Sequence, residues 1–143
     1  FSGDDYCVRF KAAGKPASEQ MHLYALSELP AEESRAALVY ANVYNGSERS
    51  LVEMRVVRED GGATEWTPME RTIEVDPHFL RIKVQEALPG GPQGRELPRP
   101  SDSHHLWKLA MPAALPAGAH VIEVRSTDMH GVVDIGRRIV RMR

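Results

Sequence analysis

The sequence predicts a mostly β fold: a small antiparallel β-sandwich with one short helix and one long Pro/Gly-rich loop. Three stretches carry that expectation. Leu115 to Gly131 is a strand with its start and stop attached: Pro116, Ala117 and Gly118 turn the chain in, and Asp128 to Gly131 turn it out. Between the turns, Ile122 and Val124 point to one face while Val121, Glu123 and Arg125 point to the other, as in a central strand. Upstream, Val52, Met54 and Val56 alternate with Glu53 and Arg55, Asp60-Gly61-Gly62 supplies a turn, and Thr64 to Thr67 returns with Trp66 as an apolar anchor. The third stretch is His105 to Ala110, which carries Trp107 just ahead of a Pro-rich turn.

The remaining elements follow in chain order. Asp4 to Phe10 is expected as a first short strand, ended by Gly14-Lys15-Pro16. In Gln20 to Leu26, Met21, Leu23 and Ala25 alternate with His22, Tyr24 and Leu26, which suits a strand between two layers. Leu29 to Arg35 is a polar connection, and Ala36 to Tyr44 is a strong strand run. Asn45-Gly46 then signals a tight turn, so this run is expected to pair with Leu51 to Val57 as a hairpin.

Asp76 to Leu88 resists the strand pattern. Asp76 can cap a helix, Pro77 suits its first position, and Leu80, Val84, Ala87 and Leu88 share one helical stripe. A strand would instead use Leu80, Ile82 and Val84 on one face, but the cap chemistry is the more specific signal. Pro89 ends the helix, and a long loop rich in Pro and Gly runs to Ser103, carrying Arg95 and Arg99.

Composition bounds the function classes. A chain of 143 residues fits one domain, long enough to bury roughly two-thirds of its unfolded surface. Its formal net charge of -2 argues against nucleic acid, and the terminal Arg137, Arg138, Arg141 and Arg143 lack interleaved aromatics for stacking on bases. They read as a solvated strand edge or a contact to a neighbouring domain. The lone Cys7 cannot form an internal disulfide and reads as a small core residue. No apolar run approaches the roughly 20 residues that span a bilayer. The chain opens on Phe1 without an initiator Met, which reads as a fragment excised from a longer protein.

The chemical motifs are sparse. Asp-x-His occurs three times, at Asp76-Pro77-His78, Asp102-Ser103-His104 and Asp128-Met129-His130. Such pairs can reach one metal ion from a turn, although caps and Asx-turns explain each case singly. No H-E-x-x-H, C-x-x-C pair, G-x-S-x-G or P-loop is present. His104 and His105 with Asp102 would be the acid–base candidates, but adjacent strand residues face opposite ways. Trp66, Trp107 and Tyr44 would be the platform for a sugar, against the commoner role of tryptophan as core.

Many short segments, in order, carry a family resemblance: Arg9 to Pro16, Gln20-Met21, Val43 to Ser47, Trp66 to Arg71, Asp76-Pro77, Arg99-Pro100-Ser101 and His105-Leu106-Trp107. Together they resemble the C-terminal, immunoglobulin-like domain of bacterial calcineurin-like metallophosphoesterases, over nearly the whole chain. The resemblance implies a non-catalytic accessory domain of a larger chain, with the catalytic phosphoesterase domain upstream as its intramolecular partner. That domain would hold two divalent metal ions through motifs of which only Asp-x-His occurs here, so no cofactor is expected in this chain. The resemblance also implies export to the periplasm or cell surface. Residues expected at a domain interface or facing ligand are Phe79, Arg95, Arg99, His104, His105 and Trp107. The alternative is a glycan- or protein-binding module at the cell surface.

Overall fold

The computed structural model describes residues 9–91, 94 and 96–143. Two sheets face each other. The first contains β1 (Met21–Tyr24), β3 (Leu38–Val43), β7 (Asp102–Ala110) and β6 (Glu70–Val75), in the order β1-β3-β7-β6. The second contains β2 (Glu28–Leu29), β9 (Val133–Met142), β8 (Gly118–Thr127), β4 (Leu51–Val57) and β5 (Thr67–Pro68), in the order β2-β9-β8-β4-β5. All pairs are antiparallel except β2 with β9. The expected β-sandwich is therefore the observed architecture.

Alternation decides what each strand buries. Met21, Leu23, Val39, Ala41, Val43 and Trp107 turn inward from the first sheet. Val52, Met54, Val56, Ile122, Val124, Val140 and Met142 meet them from the second, and all belong to one buried cluster. β8 is central as expected, paired with β4 on one side and with β9 along ten residue pairs on the other. The turn at Asp60-Gly61-Gly62 also forms as expected: Gly61 takes φ 84°, Arg58 N–H donates to the Gly62 carbonyl at 2.7 Å, and Met54 pairs with Thr67.

One pairing does not form. The runs expected as a hairpin across Asn45-Gly46 lie in opposite sheets, β3 against β1 and β7, and β4 against β8 and β5. Residues 44–50 make two successive turns instead, with Gly46 N–H on the Val43 carbonyl and Ser50 N–H on the Ser47 carbonyl. The physical reason is that both runs carry a fully apolar face. Placed across the sandwich, about 10 Å apart, the two faces bury each other, whereas side by side they would need a third layer. Gly46 permits the crossing. A Cβ there would lie 2.5 Å from the Trp107 ring, so only a bare backbone can pass over the indole.

Three further differences have local causes. Residues 31–36, expected as plain connection, form a 3-10 helix. β6 was not foreseen because its edge position and the register shift between Thr72 and Glu74 leave Ile73 exposed and erase the alternation. The strand expected over Asp4 to Phe10 falls almost wholly outside the described residues, as does Cys7, and Arg9 and Phe10 are not in a strand.

Gly46→Ala is expected to destabilise the fold by about 1–3 kcal/mol, because indole or backbone must shift to admit a methyl. Urea unfolding monitored by tryptophan fluorescence measures it. A midpoint unchanged from the parent chain would mean that the crossing is looser than its geometry.

Candidate functional site

The helix expected at Asp76 to Leu88 is present as α1 (Pro77–Glu86) and lies over the outer face of the first sheet. Its start is built as the sequence suggested. Asp76 is the N-cap, with Oδ1 accepting from His78 N–H at 2.8 Å and Pro77 at the first helical position. The other carboxylate oxygen, Oδ2, accepts from Asn42 Nδ2 at 2.7 Å. Asn42 points outward from β3, and outward-facing His22 of β1 meets the His78 ring at 4.1 Å between centroids. Cap and ring together hold the first turn against the sheet. Leu106, in register with Asn42 and Thr72 on this same face, is fully buried yet outside the main core cluster.

No residue of the helix is fully buried, although Phe79, Ile82, Lys83 and Glu86 are half-buried. Leu80 and Val84 lie four residues apart on the helix and Leu88 follows just past its end; they are 43%, 62% and 57% exposed. The chain that follows is stapled back to the helix rather than left loose. Lys83 Nζ donates to Glu86 at 2.8 Å, to Glu96 at 3.2 Å and to the Leu97 carbonyl at 2.8 Å, while Glu86 accepts from Leu97 N–H at 2.7 Å. The Lys83 ammonium, then the Leu97 amide, hold the Glu86 carboxyl below its usual range. Helix and returning segment thus form one insertion. Between it and the sheet lies a groove of about 340 Å³ lined by Asn42, Asp76, Phe79, Pro98, Arg99 and Ser101 among others.

The residues expected at an interface do not all converge. Phe79 and Arg99 meet in this groove, Phe79 half-buried and Arg99 exposed. Arg95 lies outside the described residues. His104 and His105 are exposed on β7. The His104 carbonyl accepts from Arg71, and His105 Nδ1 lies 2.7 Å from the Gly46 carbonyl. Trp107 is only 2% exposed and belongs to the main core, which corrects its expected placement at a surface. Alternation along β7 forces this, since Trp107 lies opposite inward-facing Ala41. Asn42 was missed, although a polar side chain at an outward position in an apolar run was its signal.

The three aromatics proposed for a sugar platform are likewise apart. Trp66 lies on the outer face of the second sheet, with the guanidinium carbons of Arg55 and Arg125 4.6 and 4.4 Å from its ring centroid. Tyr44 hydroxyl donates to Glu19, and burial followed by that carboxylate pushes its pKa up to about 12. Nor do the Asp-x-His tripeptides make a metal site. Asp76 spends both oxygens as described, Asp128 Oδ1 accepts from His130 and Val132 N–H in an Asx-turn, and no three metal-binding side chains converge among the described residues. Among the described residues, the donors do not fit a metal pair.

The outer rim of the first sheet carries one strongly perturbed carboxylate. Glu74 accepts from Lys108 Nζ at 2.8 Å and from Thr72 hydroxyl at 2.6 Å, and these two contacts, led by the ammonium, lower its pKa to about 2.

Against this geometry, the match to known proteins is informative. The family described as the C terminal of calcineurin-like phosphoesterase matches residues 1–133, nearly the whole chain. The chain belongs to that family: it is a C-terminal accessory domain of the calcineurin-like phosphoesterase type. No curated protein matches it. Among solved structures it is similar to CopC from Methylosinus trichosporium OB3b, at 12% identity and a TM-score of 0.41, over 85% of this chain and 93% of that one. So distant a likeness carries no functional argument.

Two outcomes follow from the site's geometry. Asp76→Ala removes the cap and the Asn42 contact together and is expected to cost about 1–2 kcal/mol in chemical denaturation, with helical circular dichroism reduced. For Glu74, a carboxyl pKa lowered on folding stabilises the native state above the ordinary value of 4.5, and that stabilisation is lost as pH falls toward about 2. Glu74 is about one-third exposed, so solvent screening limits the effect to about 1 kcal/mol or less. The parent chain is expected to be more stable than Glu74→Gln at pH 7, with the gap closing on acidification. A pH-independent gap would assign the loss to something other than this charge.

Proposed function

We propose that this domain is non-catalytic, that it packs on the catalytic domain of its own polypeptide through the exposed stripe of α1, and that the returning segment with Arg95 and Arg99 helps to shape the substrate cleft there. The divalent metal pair and the hydrolytic chemistry belong to that partner domain, which makes the whole protein a metal-dependent phosphoesterase. Membership of the family supports the accessory role and the intramolecular partner. The observation that carries the docking face is Leu80, Val84 and Leu88. A helix on a small domain ordinarily turns its apolar side chains into the core, and this one leaves Leu80 and Val84, with Leu88 just past its end, facing water. Covering each of these half-exposed side chains is worth on the order of 1 kcal/mol, and the three together favour the packing of two tethered domains. The groove beneath adds a reason for Arg99 to matter, because a guanidinium binds phosphate oxygens as a fork.

Hydrogen exchange separates the parts of this proposal. In the full-length protein, amides of α1 are expected to exchange more slowly than in the isolated chain, and Leu80→Asp with Val84→Asp to abolish that difference without lowering the melting temperature of the isolated chain. Equal exchange in both contexts would remove α1 from the interface. Arg95→Ala with Arg99→Ala is expected to lower phosphoester turnover about tenfold. If turnover were unchanged, the substrate-wall role would fall and packing alone would stand.

A further inference from the structure

A second concavity lies away from the groove, at the side of the sandwich where β1 of the first sheet passes β9 of the second. It measures about 290 Å³, and its lining includes Lys15, Glu19, His22, Gly136, Arg137 and Arg138. Gly136 lets β9 approach β1 closely here, because a Cβ there would lie 2.7 Å from the Met21 side chain. Gln20 fastens the segment that brings Lys15 to the rim, donating to the Phe10 and Ala17 carbonyls and accepting from Phe10 N–H.

The charges of this cleft are unevenly satisfied. Arg137 is neutralised by Glu123 at 2.7 Å, and Lys15 faces Glu19 at 3.5 Å. Arg138 has no carboxylate partner among the described residues. It alternates with Gly136 and Val140 on the inward face of β9, and its two terminal nitrogens make only long 3.4 Å contacts, to the Leu23 carbonyl and Ser27 hydroxyl. Its Nε is buried with no hydrogen-bond partner, and so is Nε2 of His22. A buried guanidinium Nε without an acceptor on an uncompensated cation, beside an imidazole Nε2 that donates in its Nε2–H tautomer, is a set that an acceptor-rich anion satisfies. Burial foremost, then the neighbouring His78 ring, with Lys15 and Arg138 acting the same way against the opposing Asp76, lowers the His22 pKa.

We propose that the cleft between β1 and β9 is a binding site for a tetrahedral oxyanion, a phosphate or phosphate ester, held by Arg138 and Lys15 with a hydrogen bond from His22 Nε2. The volume exceeds what inorganic phosphate fills, so an esterified group has room beside it. The site is independent of the docking face on α1 and stands or falls without it.

The test is an amide NMR titration of the 143-residue chain with inorganic phosphate and, separately, with adenosine monophosphate, at fixed ionic strength. Saturable shifts confined to residues around His22 and Gly136 to Arg138 are expected. Arg138→Gln is expected to weaken binding about tenfold or more, and Lys15→Gln, on an exposed segment, severalfold. Tighter binding of the nucleotide would identify the ester as ligand, and equal binding the phosphate group itself. Absence of saturable shifts with both probes overturns the proposal. So does binding that Lys15→Gln and a folded Arg138→Gln leave unchanged.

Discussion

The passage of the chain from β3 to β4 governs the rest of the architecture. It takes place over Trp107, whose ring fills the space between the sheets and leaves room above it for backbone alone at Gly46. Because the chain crosses there instead of folding back, Val39, Ala41 and Val43 come to face Val52, Met54 and Val56, and the core has two walls. The crossing also frees β3 to take β7 as its neighbour, which in turn places β6 at the sheet edge and α1 directly after it. A packing contact in the interior therefore decides where the external insertion emerges.

The two outer faces solve the problem of exposure differently. On the second sheet, Glu123 bridges Arg55 and Arg137, Glu53 takes Arg125, and both Arg55 and Arg125 lie against Trp66. These cross-strand pairs satisfy one another and hold the indole flat to the sheet. The first sheet instead carries an added helix, capped and pinned at its start with Leu80 and Val84 exposed, while the second leaves Val133, Ile135 and Ile139 of β9 exposed beside its ion pairs.

Legibility in the sequence tracked how local the physics is. The β8 strand, the Asp60-Gly61-Gly62 turn and the Asp76 cap each depend on a few adjacent residues, and each was readable. The crossing at Gly46 was not, because Asn-Gly advertises a hairpin and only the distant indole of Trp107 says otherwise. β6 escaped because a bulge breaks its period. At the candidate site, the sequence marked Phe79 and Arg99, but the meeting of His22, Lys15 and Arg138 joins parts of the chain that no motif connects and required the sheet order. Trp107 was marked as interface- or ligand-facing because it flanks the long loop, while its strand position turns it inward.

The last strand has a consequence in time. β9 supplies Val140 and Met142 to the core, and it is the partner that orders β2, nearly a whole chain length upstream. Around it, Ala31 N–H donates to the Arg143 carbonyl and Arg143 N–H to that of Leu29, knotting early and late segments at one corner. During synthesis from the N-terminus, β8 must wait with an open edge and a half-covered apolar face until β9 leaves the ribosome. Contacts of such long sequence separation form slowly. The hazardous interval for this domain is thus the time between the emergence of β8 and that of β9, when a chaperone would shield it best.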